Sequence, residues 1–251
     1  MLKKIWIIGC SNGIGLELAK LFLKNNYLVI GSARNIENSK ELNKLKLVYN
    51  ERLKLLNVDV SNEQEVQECV EEIFNKYDTL DICFYNAGIY EKTDIFNTNL
   101  NDFENIININ YLGAVRVLKY LLNFLKKQNE SKIVLNASLS SYFGLPYASS
   151  YGSSKAALVN FAQSIQPELL RENIKLQIIN HGFVKTRLTA KNDFEMPQLM
   201  ESSFAAKKIY KQLHKPYKFE IRFPFILSKF LQLLNLLPYN ISLKITKRFL
   251  K

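Results

Sequence analysis

A tyrosine and a lysine are spaced so that they could carry proton transfer. Tyr151 and Lys155 are four residues apart, so on a helix their side chains project from the same face. A free phenol has a pKa of about 10, too high for efficient proton exchange near neutrality. An adjacent ammonium favours the phenolate and is expected to lower that pKa. The stretch from Asn136 to Leu158, which contains both residues, has no histidine or carboxylate.

A glycine-rich segment near the N-terminus has the composition of a phosphate-binding turn. An apolar run ends at Ile8, and Gly9-Cys10-Ser11-Asn12-Gly13-Ile14-Gly15 follows and runs into a helical pattern. Glycines allow a tight turn and a close ligand, and the amides at the start of a helix bind pyrophosphate. The segment predicts a dinucleotide site, with an ordinary strand-to-helix turn as the alternative.

Alternating elements must position these residues. Short β-rich runs are predicted at Lys3–Ile8, Tyr27–Ser32, Leu53–Asn57, Leu80–Tyr85, Lys132–Ala137 and Lys175–Asn180. Apolar residues at three- and four-residue spacing predict helices over Ile14–Asn25, Glu63–Lys76, Asp102–Lys127 and Tyr151–Glu172. This βαβα order indicates a parallel sheet with helices on both faces, and the alternation fades after Asn180.

Five sequence pieces, in a fixed order, resemble the short-chain dehydrogenases/reductases. They are the Gly-x-x-x-Gly-x-Gly turn, Asn86-Ala87-Gly88, Asn110-Tyr111-Leu112-Gly113, Ser138, and Tyr151 with Lys155. The resemblance covers about residues 3 to 190. It implies an α/β chain with a Rossmann-like doubly wound parallel sheet. A catalytic and dinucleotide-binding domain is expected over residues 1–222, followed by a basic, apolar C-terminal extension, 223–251, that is not an independent domain.

The resemblance also implies an activity and a role for each catalytic residue. The activity is NAD(P)-dependent hydride transfer between a nicotinamide and a carbonyl or secondary alcohol. Tyr151 would exchange the proton, Lys155 would tune Tyr151 and hold the nicotinamide ribose, and Ser138 would orient the carbonyl. Asn110 would support a water leading to Lys155. Two alternatives are that Tyr151 and Ser138 are structural, and that the chain is a silent nucleotide-binding sensor or scaffold.

The cofactor residues follow from the same resemblance. They are Gly9, Ser11, Asn12, Gly13, Ile14, Gly15, Asp59, Val60, Asn86, Ala87, Gly88, Tyr151, Lys155, Gly182, Val184 and Thr186. Arg34, after the second strand, can bind a 2′-phosphate, while Ala33 supplies no acid for the ribose of NAD, so NADP is favoured over NAD. Alternatively, Arg34 is a solvated charge and Asp59 caps the helix that begins near Asn62.

Three positions depart from the family pattern. Ile8 stands where threonine is frequent, Tyr85 where a second asparagine is frequent, and His181 where proline usually precedes Gly182. His181 could serve as a base, since imidazole titrates near neutrality, but it is interpreted as a loop residue near the cofactor. His214 is expected to be exposed and without a local partner.

Composition limits the compartment and the partners. Cys10, Cys69 and Cys83 form neither a disulfide framework nor a zinc pattern, so reduced cysteines, a cytoplasmic location and no metal are expected. The net charge is +11, and residues from His181 onward carry 14 Lys/Arg against 4 Asp/Glu. These cations are mixed with leucines, which argues against a nucleic-acid partner.

Small hydrophobic carbonyls or alcohols are the expected substrates. Residues 139–147 and 185–214 supply the apolar side chains Tyr142, Phe143, Leu145, Tyr147, Phe194, Met196 and Leu199, which could equally close the protein core. A homodimer or homotetramer is expected from the resemblance. Apolar residues suited to its helix pairing are Val115, Leu118, Leu122, Leu158, Phe161 and Ile165, although core packing explains them as well.

The C-terminal tail has a separate pattern. Phe225–Leu237 is 13 residues long, too short to span a bilayer, and Pro238 interrupts it. Beyond it, cations and apolar residues occupy different arcs of a helix: Lys244, Lys247, Arg248 and Lys251 on one, Ile241, Ile245 and Phe249 on the other. The tail is therefore predicted to lie peripherally on an anionic membrane. The alternative is that its leucines cover the dimer interface or the substrate pocket.

Overall fold

A seven-stranded, fully parallel sheet forms the centre of the protein in a computed structural model that describes residues 2–250. The main strands are β1 (Lys4–Ile8), β2 (Leu28–Ala33), β3 (Leu53–Asn57), β4 (Ile82–Tyr85), β5 (Ser131–Asn136) and β6 (Ile174–His181). A small parallel pair, β7 (Val184–Lys185) and β8 (Met200–Glu201), lies apart, and β9 (Glu220–Phe223) returns to the main sheet. The order is β3-β2-β1-β4-β5-β6-β9, the doubly wound arrangement expected from the βαβα alternation.

Helices cover both faces of this sheet. They are α1 (Gly13–Lys24), α2 (Lys40–Tyr49), α3 (Glu63–Lys76), α4 (Leu100–Ile107), α5 (Gly113–Leu125), α6 (Ser149–Arg171), α7 (Ser202–Leu213), α8 (Phe225–Leu236) and α9 (Tyr239–Lys247). Strand β1 shows how the faces are divided. Trp6 and Ile8 pack in the core beneath α3, α5 and α6, whereas Ile5 and Ile7 pack in the core beneath α1, α2 and α7. Successive side chains of a strand point to opposite faces, and both faces are buried here, so every residue from Ile5 to Ile8 is apolar.

The six predicted strands are confirmed to within two residues at each end. The helix predicted over Asp102–Lys127 is interrupted by a π-helical segment, residues 108–112, that separates α4 from α5. The expectation that alternation fades after Asn180 is wrong, because α7 leads into β9, which pairs with β6. Helix α2 was also missed, since Leu42 is its only buried residue and its apolar pattern is weak.

The tail forms two short helices that pack on the catalytic unit. Leu231 and Leu234 of α8 contact Leu139 and Phe143, and Ile245 of α9 packs against the same cluster. Within residues 2–250 no helix combines the length and apolarity needed to cross a bilayer. Lys251, the last cation of the predicted arc, lies outside the described residues. Cys10, Cys69 and Cys83 are buried free thiols.

Candidate active site

The glycine-rich turn is shaped by close backbone contacts. Gly9 and Gly13 have φ values of +85° and +56°, which favour glycine. A Cβ atom on Gly9 would lie 2.8 Å from the backbone of Ala87, and one on Gly15 would lie 2.2 Å from the Gly9 carbonyl oxygen. The side-chain amide of Asn86 donates to the Gly9 carbonyl oxygen at 2.7 Å. The turn therefore brings the start of α1 directly against the ends of β1 and β4.

The N-terminus of α1 is open toward a ligand. Its N-cap residue, Asn12, accepts no capping hydrogen bond on its side chain, and the first turn contains no acidic residue. The first amides of a helix have no partners within the helix, and they carry a partial positive charge. A phosphate group placed here would accept hydrogen bonds from these amides and balance their partial positive charge.

One large cavity runs from this turn across the carboxyl edge of the sheet, with a volume of about 1660 Å³. Ordinary small-molecule pockets measure about 300–1,000 Å³, so this one has room for a dinucleotide together with a second molecule. The predicted site residues that line it are Gly9, Ser11, Asn12, Gly13, Ile14, Arg34, Asp59, Val60, Asn86, Ala87, Gly88, Ser138, Tyr151, Lys155, Gly182, Val184 and Thr186. Gly15 and Asn110 do not line it: Gly15 allows close packing, and Asn110 lies behind the wall.

Tyr151 and Ser138 meet at the middle of the cavity. Tyr151 projects from the first turn of α6, and Ser138 follows β5. Burial raises the pKa of Tyr151 to about 12, against the lowering effect of a hydrogen bond with the Ser138 side chain. The ring of Tyr90 stands edge-on to Tyr151 at 5.4 Å. Tyr151 is therefore a protonated phenol at neutral pH, and the expectation of a lowered tyrosine pKa is wrong for this arrangement.

Lys155 explains why the tyrosine is not converted to a phenolate. Its Nζ atom donates to the main-chain oxygen of Asn136 at 2.7 Å and lies 5.7 Å from the centre of the Tyr151 ring, over its face. Lys155 is only 3% exposed, and this burial lowers its pKa to about 8. Desolvation therefore sets the pKa of both Tyr151 and Lys155, because the Lys155 ammonium is directed at a backbone carbonyl and not at the phenol oxygen.

Asn110 is held rigidly within the π-helical segment. Its Oδ1 accepts from the Ile89 amide at 2.8 Å, and its Nδ2 donates to the Ile89 oxygen and to the Ser154 hydroxyl, both at 3.0 Å. A Cβ atom on Gly88 would lie 3.3 Å from Asn110 Oδ1 and 3.7 Å from Lys155 Nζ. Gly88 therefore leaves an open space between Asn110 and Lys155.

Tyr85 and His181, two of the residues that depart from the family pattern, each form a hydrogen bond with the backbone. Tyr85 is buried and donates to the Ile109 oxygen at 2.6 Å, which supports the π-helical segment. His181 Nδ1 lies 2.7 Å from the Gly182 oxygen, which can only accept, so Nδ1 carries the proton. Burial lowers the pKa of His181 to about 4, so this ring is neutral near pH 7.

The structure also shows the surroundings of Asp59, His214 and Arg34. Asp59 accepts from the Ser61 amide and hydroxyl, while Asn62 caps α3, so the helix-cap alternative for Asp59 is wrong. His214 is exposed as expected, but it has a partner, the Tyr27 hydroxyl at 3.0 Å. Arg34 is exposed at the rim of the cavity.

Several site residues escaped the sequence analysis. Asn136, which receives the Lys155 hydrogen bond, is a polar residue at the end of an apolar strand, and that contrast was a usable signal. Ser140 lines the cavity with a hydroxyl that lacks a partner among the described residues. Tyr90 also lines the cavity, and no local pattern distinguished it. The tail residues Ile226, Leu227, Phe230, Leu231, Arg248, Phe249 and Leu250 line it as well, in keeping with the alternative that the tail leucines cover the substrate pocket.

Known proteins of one family are similar to this chain over most of its length. A sequence model described as short chain dehydrogenase matches residues 3–196. The chain belongs to the short-chain dehydrogenase family. Carbonyl reductase family member 4 of Xenopus laevis is 30% identical over 76% of this chain and 79% of its own length. An uncharacterized oxidoreductase of Staphylococcus epidermidis is 27% identical over 84% and 90% of the two lengths.

A solved structure extends the comparison to three dimensions. The protein ElxO with NADP bound superposes with a TM-score of 0.80 at 29% identity, covering 88% of this chain and 97% of the other. This short-chain dehydrogenase is therefore a single-domain α/β oxidoreductase with a Rossmann-like sheet.

Proposed function

We propose that this short-chain dehydrogenase reduces a hydrophobic carbonyl compound with NADPH, using Tyr151 as the proton donor. The observation that carries the proposal is the meeting of Ser138, Tyr151 and Lys155 in the cavity that continues from the glycine-rich turn. A silent sensor would need the dinucleotide end of this cavity but no proton donor beside it, so the experiment below separates the two functions.

The residues present fit a dinucleotide. The uncapped start of α1 would hold the pyrophosphate, with Gly9, Ser11, Asn12, Gly13 and Ile14 forming the turn around it. Asp59 and Val60 would contact the adenine, and Asn86, Ala87 and Gly88 would form the floor. Gly182, Val184 and Thr186 would lie beside the nicotinamide, and Lys155 would hold its ribose. When bound, the nicotinamide supplies the hydride.

Tyr151 is suited to donating a proton. With a pKa raised to about 12, it keeps its proton at neutral pH and can donate it as charge develops on a carbonyl oxygen. Ser138 is 8% exposed and accepts from the Ser140 amide at 3.2 Å, which fixes its position for a second hydrogen bond to the same oxygen. The carbonyl oxygen would take the tyrosine proton while the carbonyl carbon would take the hydride, which would give an alcohol.

Lys155 and Asn110 would return the proton to Tyr151. Lys155 has a pKa of about 8, so its ammonium is present at neutral pH and is readily deprotonated. The space beside Gly88, bordered by Asn110 Oδ1 and Lys155 Nζ, would hold the water that connects Lys155 to solvent. Gly15 would act only by allowing the glycine-rich turn to close.

NADP preference is proposed to rest on Arg34. Its guanidinium lies at the cavity rim after β2, and Ala33, the residue before it, supplies no carboxylate for an unphosphorylated ribose. A guanidinium forms charge-assisted, bidentate hydrogen bonds to phosphate. ElxO, a relative of this chain, is known with NADP bound, which supports the proposal.

A hydrophobic substrate is supported by the cavity wall beyond Tyr151. Leu145, Phe183 and Phe194 contribute apolar side chains there, and the tail helix α8 adds Leu227 and Phe230. Phe143 is buried against α8, so it serves the core. Residues 185–214 and the C-terminal extension, 223–251, therefore both contribute apolar side chains to the proposed substrate pocket.

A homodimer or homotetramer remains part of the proposal. Leu118 and Leu158 are buried in the chain's own core, so they are removed from the predicted interface. Val115, Leu122, Phe161 and Ile165 are half-buried on α5 and α6 and retain surface for a partner copy. The location is proposed as cytoplasmic and peripheral at an anionic membrane, because the tail combines exposed apolar side chains with cations.

The direct test is a panel of carbonyl compounds of increasing chain length, monitored by the loss of NADPH absorbance. Turnover that depends on NADPH and grows with chain length supports the function. Nucleotide binding in calorimetry, with no turnover of any carbonyl or reverse oxidation of any alcohol, would support the sensor instead.

A further inference from the structure

Helix α8 is apolar on both of its faces. Its inner face, with Leu231 and Leu234, is buried against Leu139 and Phe143. Its outer face carries Phe225, Ile226, Leu233 and Leu236, which are 53–82% exposed. Large apolar side chains exposed together in this way are normally covered by protein or lipid, so the outer face is a candidate docking surface.

The tail concentrates this kind of surface. Of the large apolar side chains exposed among residues 2–250, nine lie between 225 and 250: Phe225, Ile226, Leu233, Leu236, Tyr239, Ile241, Leu243, Phe249 and Leu250. We name the exposed apolar side chains of residues 225–250, with Lys229, Lys244, Lys247 and Arg248, the tail surface. Residues 221–250 contain five cations and no Asp or Glu.

This charge identifies the kind of partner. A second copy placed on the tail surface would bring cations against cations, which is unfavourable. An anionic bilayer offers negative charge to the lysines and hydrocarbon to the leucines and phenylalanines at the same time. Among the described residues, Lys244, Lys247 and Arg248 form no ion pairs, so their charges are available.

The active-site cavity opens on the same surface. Ile226, Phe249 and Leu250 line the cavity and are also 45–71% exposed, so they stand at its mouth. Inside the mouth, Phe230 lies 6.2 Å from Phe249, and Leu227 packs beside Leu139, which directly follows Ser138. A Cβ atom on Gly182 would lie 3.2 Å from Leu227, so α8 also touches the loop proposed to hold the nicotinamide. An apolar wall therefore leads from the outer surface to the proton donor.

We propose that the tail surface docks on an anionic bilayer and that the substrate is a membrane-dissolved, long-chain carbonyl lipid, which enters the cavity past Ile226, Phe249 and Leu250. The proposal rests on the reductase function. It adds the source of the substrate and the route of entry. The carbonyl end would reach Tyr151, while the apolar chain would lie along Leu227, Phe230 and Leu231.

Docking is tested by co-sedimentation of the full chain with phosphatidylserine/phosphatidylcholine vesicles and with pure phosphatidylcholine vesicles, at low and high salt. Each cation near an anionic surface contributes roughly fivefold in affinity, so Lys244→Gln with Lys247→Gln should weaken binding about 25-fold. Leu233→Ser with Leu236→Ser should weaken it roughly tenfold or more. None of these four residues lines the cavity.

Matched controls come from another surface of the chain. Lys126→Gln with Lys127→Gln removes two exposed cations, and Leu47→Ser removes a leucine that is 86% exposed. Both controls should bind anionic vesicles like the wild type. Equal binding to neutral and anionic vesicles, no binding to either, or equal losses in the controls would overturn the docking. A tail variant that converts an oligomer to a monomer would show that the surface pairs with a second copy, and that too would overturn it.

Entry is tested with two carbonyl compounds that share the reacting group, one short and water-soluble, the other long-chained and dissolved in the vesicles. The tail variants should keep kcat/KM for the soluble compound and lose roughly tenfold or more for the membrane-dissolved one. Equal kcat/KM for the long compound in anionic and neutral vesicles would refute entry from the membrane. Failure of the soluble compound to react would refute the reductase function instead, and co-sedimentation would still test docking.

Discussion

Protonation of His181 should destabilise the fold on mild acidification. Burial lowers the pKa of the folded ring to about 4, whereas an unfolded histidine has a pKa of about 6.5. Between these values the unfolded chain binds a proton that the folded chain does not, so the free energy of unfolding decreases as pH falls from about 6.5 to 4. The gap of about 2.5 between the two pKa values corresponds to up to about 3 kcal/mol. Above pH 6.5 the contribution is constant.

The assay is urea denaturation from pH 4 to pH 8 for the wild type and for His181→Asn, whose amide can still donate to the Gly182 oxygen. Because the carboxylates titrate alike in both chains, the difference between the two curves isolates the histidine. That difference should shift by up to about 3 kcal/mol in favour of the variant as the pH is lowered. Parallel curves for wild type and His181→Asn would refute the assignment of a neutral ring with a lowered pKa.

Three further predictions concern the cofactor and the tail. Arg34→Ala should weaken NADPH binding in calorimetry by roughly 10- to 100-fold, from loss of a charged hydrogen bond, and leave NADH within about threefold; equal wild-type affinities for the two would contradict NADP preference. NADPH affinity should decrease above about pH 8, because Lys155 then loses the ammonium that would hold the ribose, and Lys155→Met should abolish this dependence in a fluorescence titration. Leu231→Ala, at a residue 2% exposed against Leu139 and Phe143, should lower the free energy of unfolding by about 2–5 kcal/mol, whereas the exposed Leu236→Ala should change it by less than about 0.5 kcal/mol; equal effects would show that α8 is not anchored as described.

The central sheet could be predicted from sequence because buried parallel strands produce short apolar runs. Strands β1, β4 and β5 are such runs, and the helices between them repeat apolar residues at helical spacing. Helix α2 and strand β9 could not be predicted in this way. Helix α2 buries only Leu42, and β9 is four residues long at the sheet edge, where pairing with β6 decides its conformation. The π-helical segment depends on a hydrogen bond from Tyr85, which is distant in sequence.

The candidate site was predicted as a set of residues but not as an electrostatic arrangement. The four-residue spacing predicted that Tyr151 and Lys155 share a helix face, whereas Ser138 was named from the family resemblance. Their pKa values depend on burial and on the direction of Lys155 toward the Asn136 carbonyl, which spacing does not reveal. The tail residues at the mouth of the cavity come from a packing contact between segments that are more than 80 residues apart.

The most direct measurement of the central claim compares Tyr151→Phe with the wild type on a carbonyl compound that the wild type reduces. Phenylalanine keeps the ring and its packing against Tyr90 but lacks the hydroxyl group that carries the proton. We predict that turnover falls by about 10²–10⁴-fold while the NADPH dissociation constant stays within about threefold. Near-wild-type turnover by Tyr151→Phe, with cofactor binding intact, would contradict the assignment of Tyr151 as the proton donor.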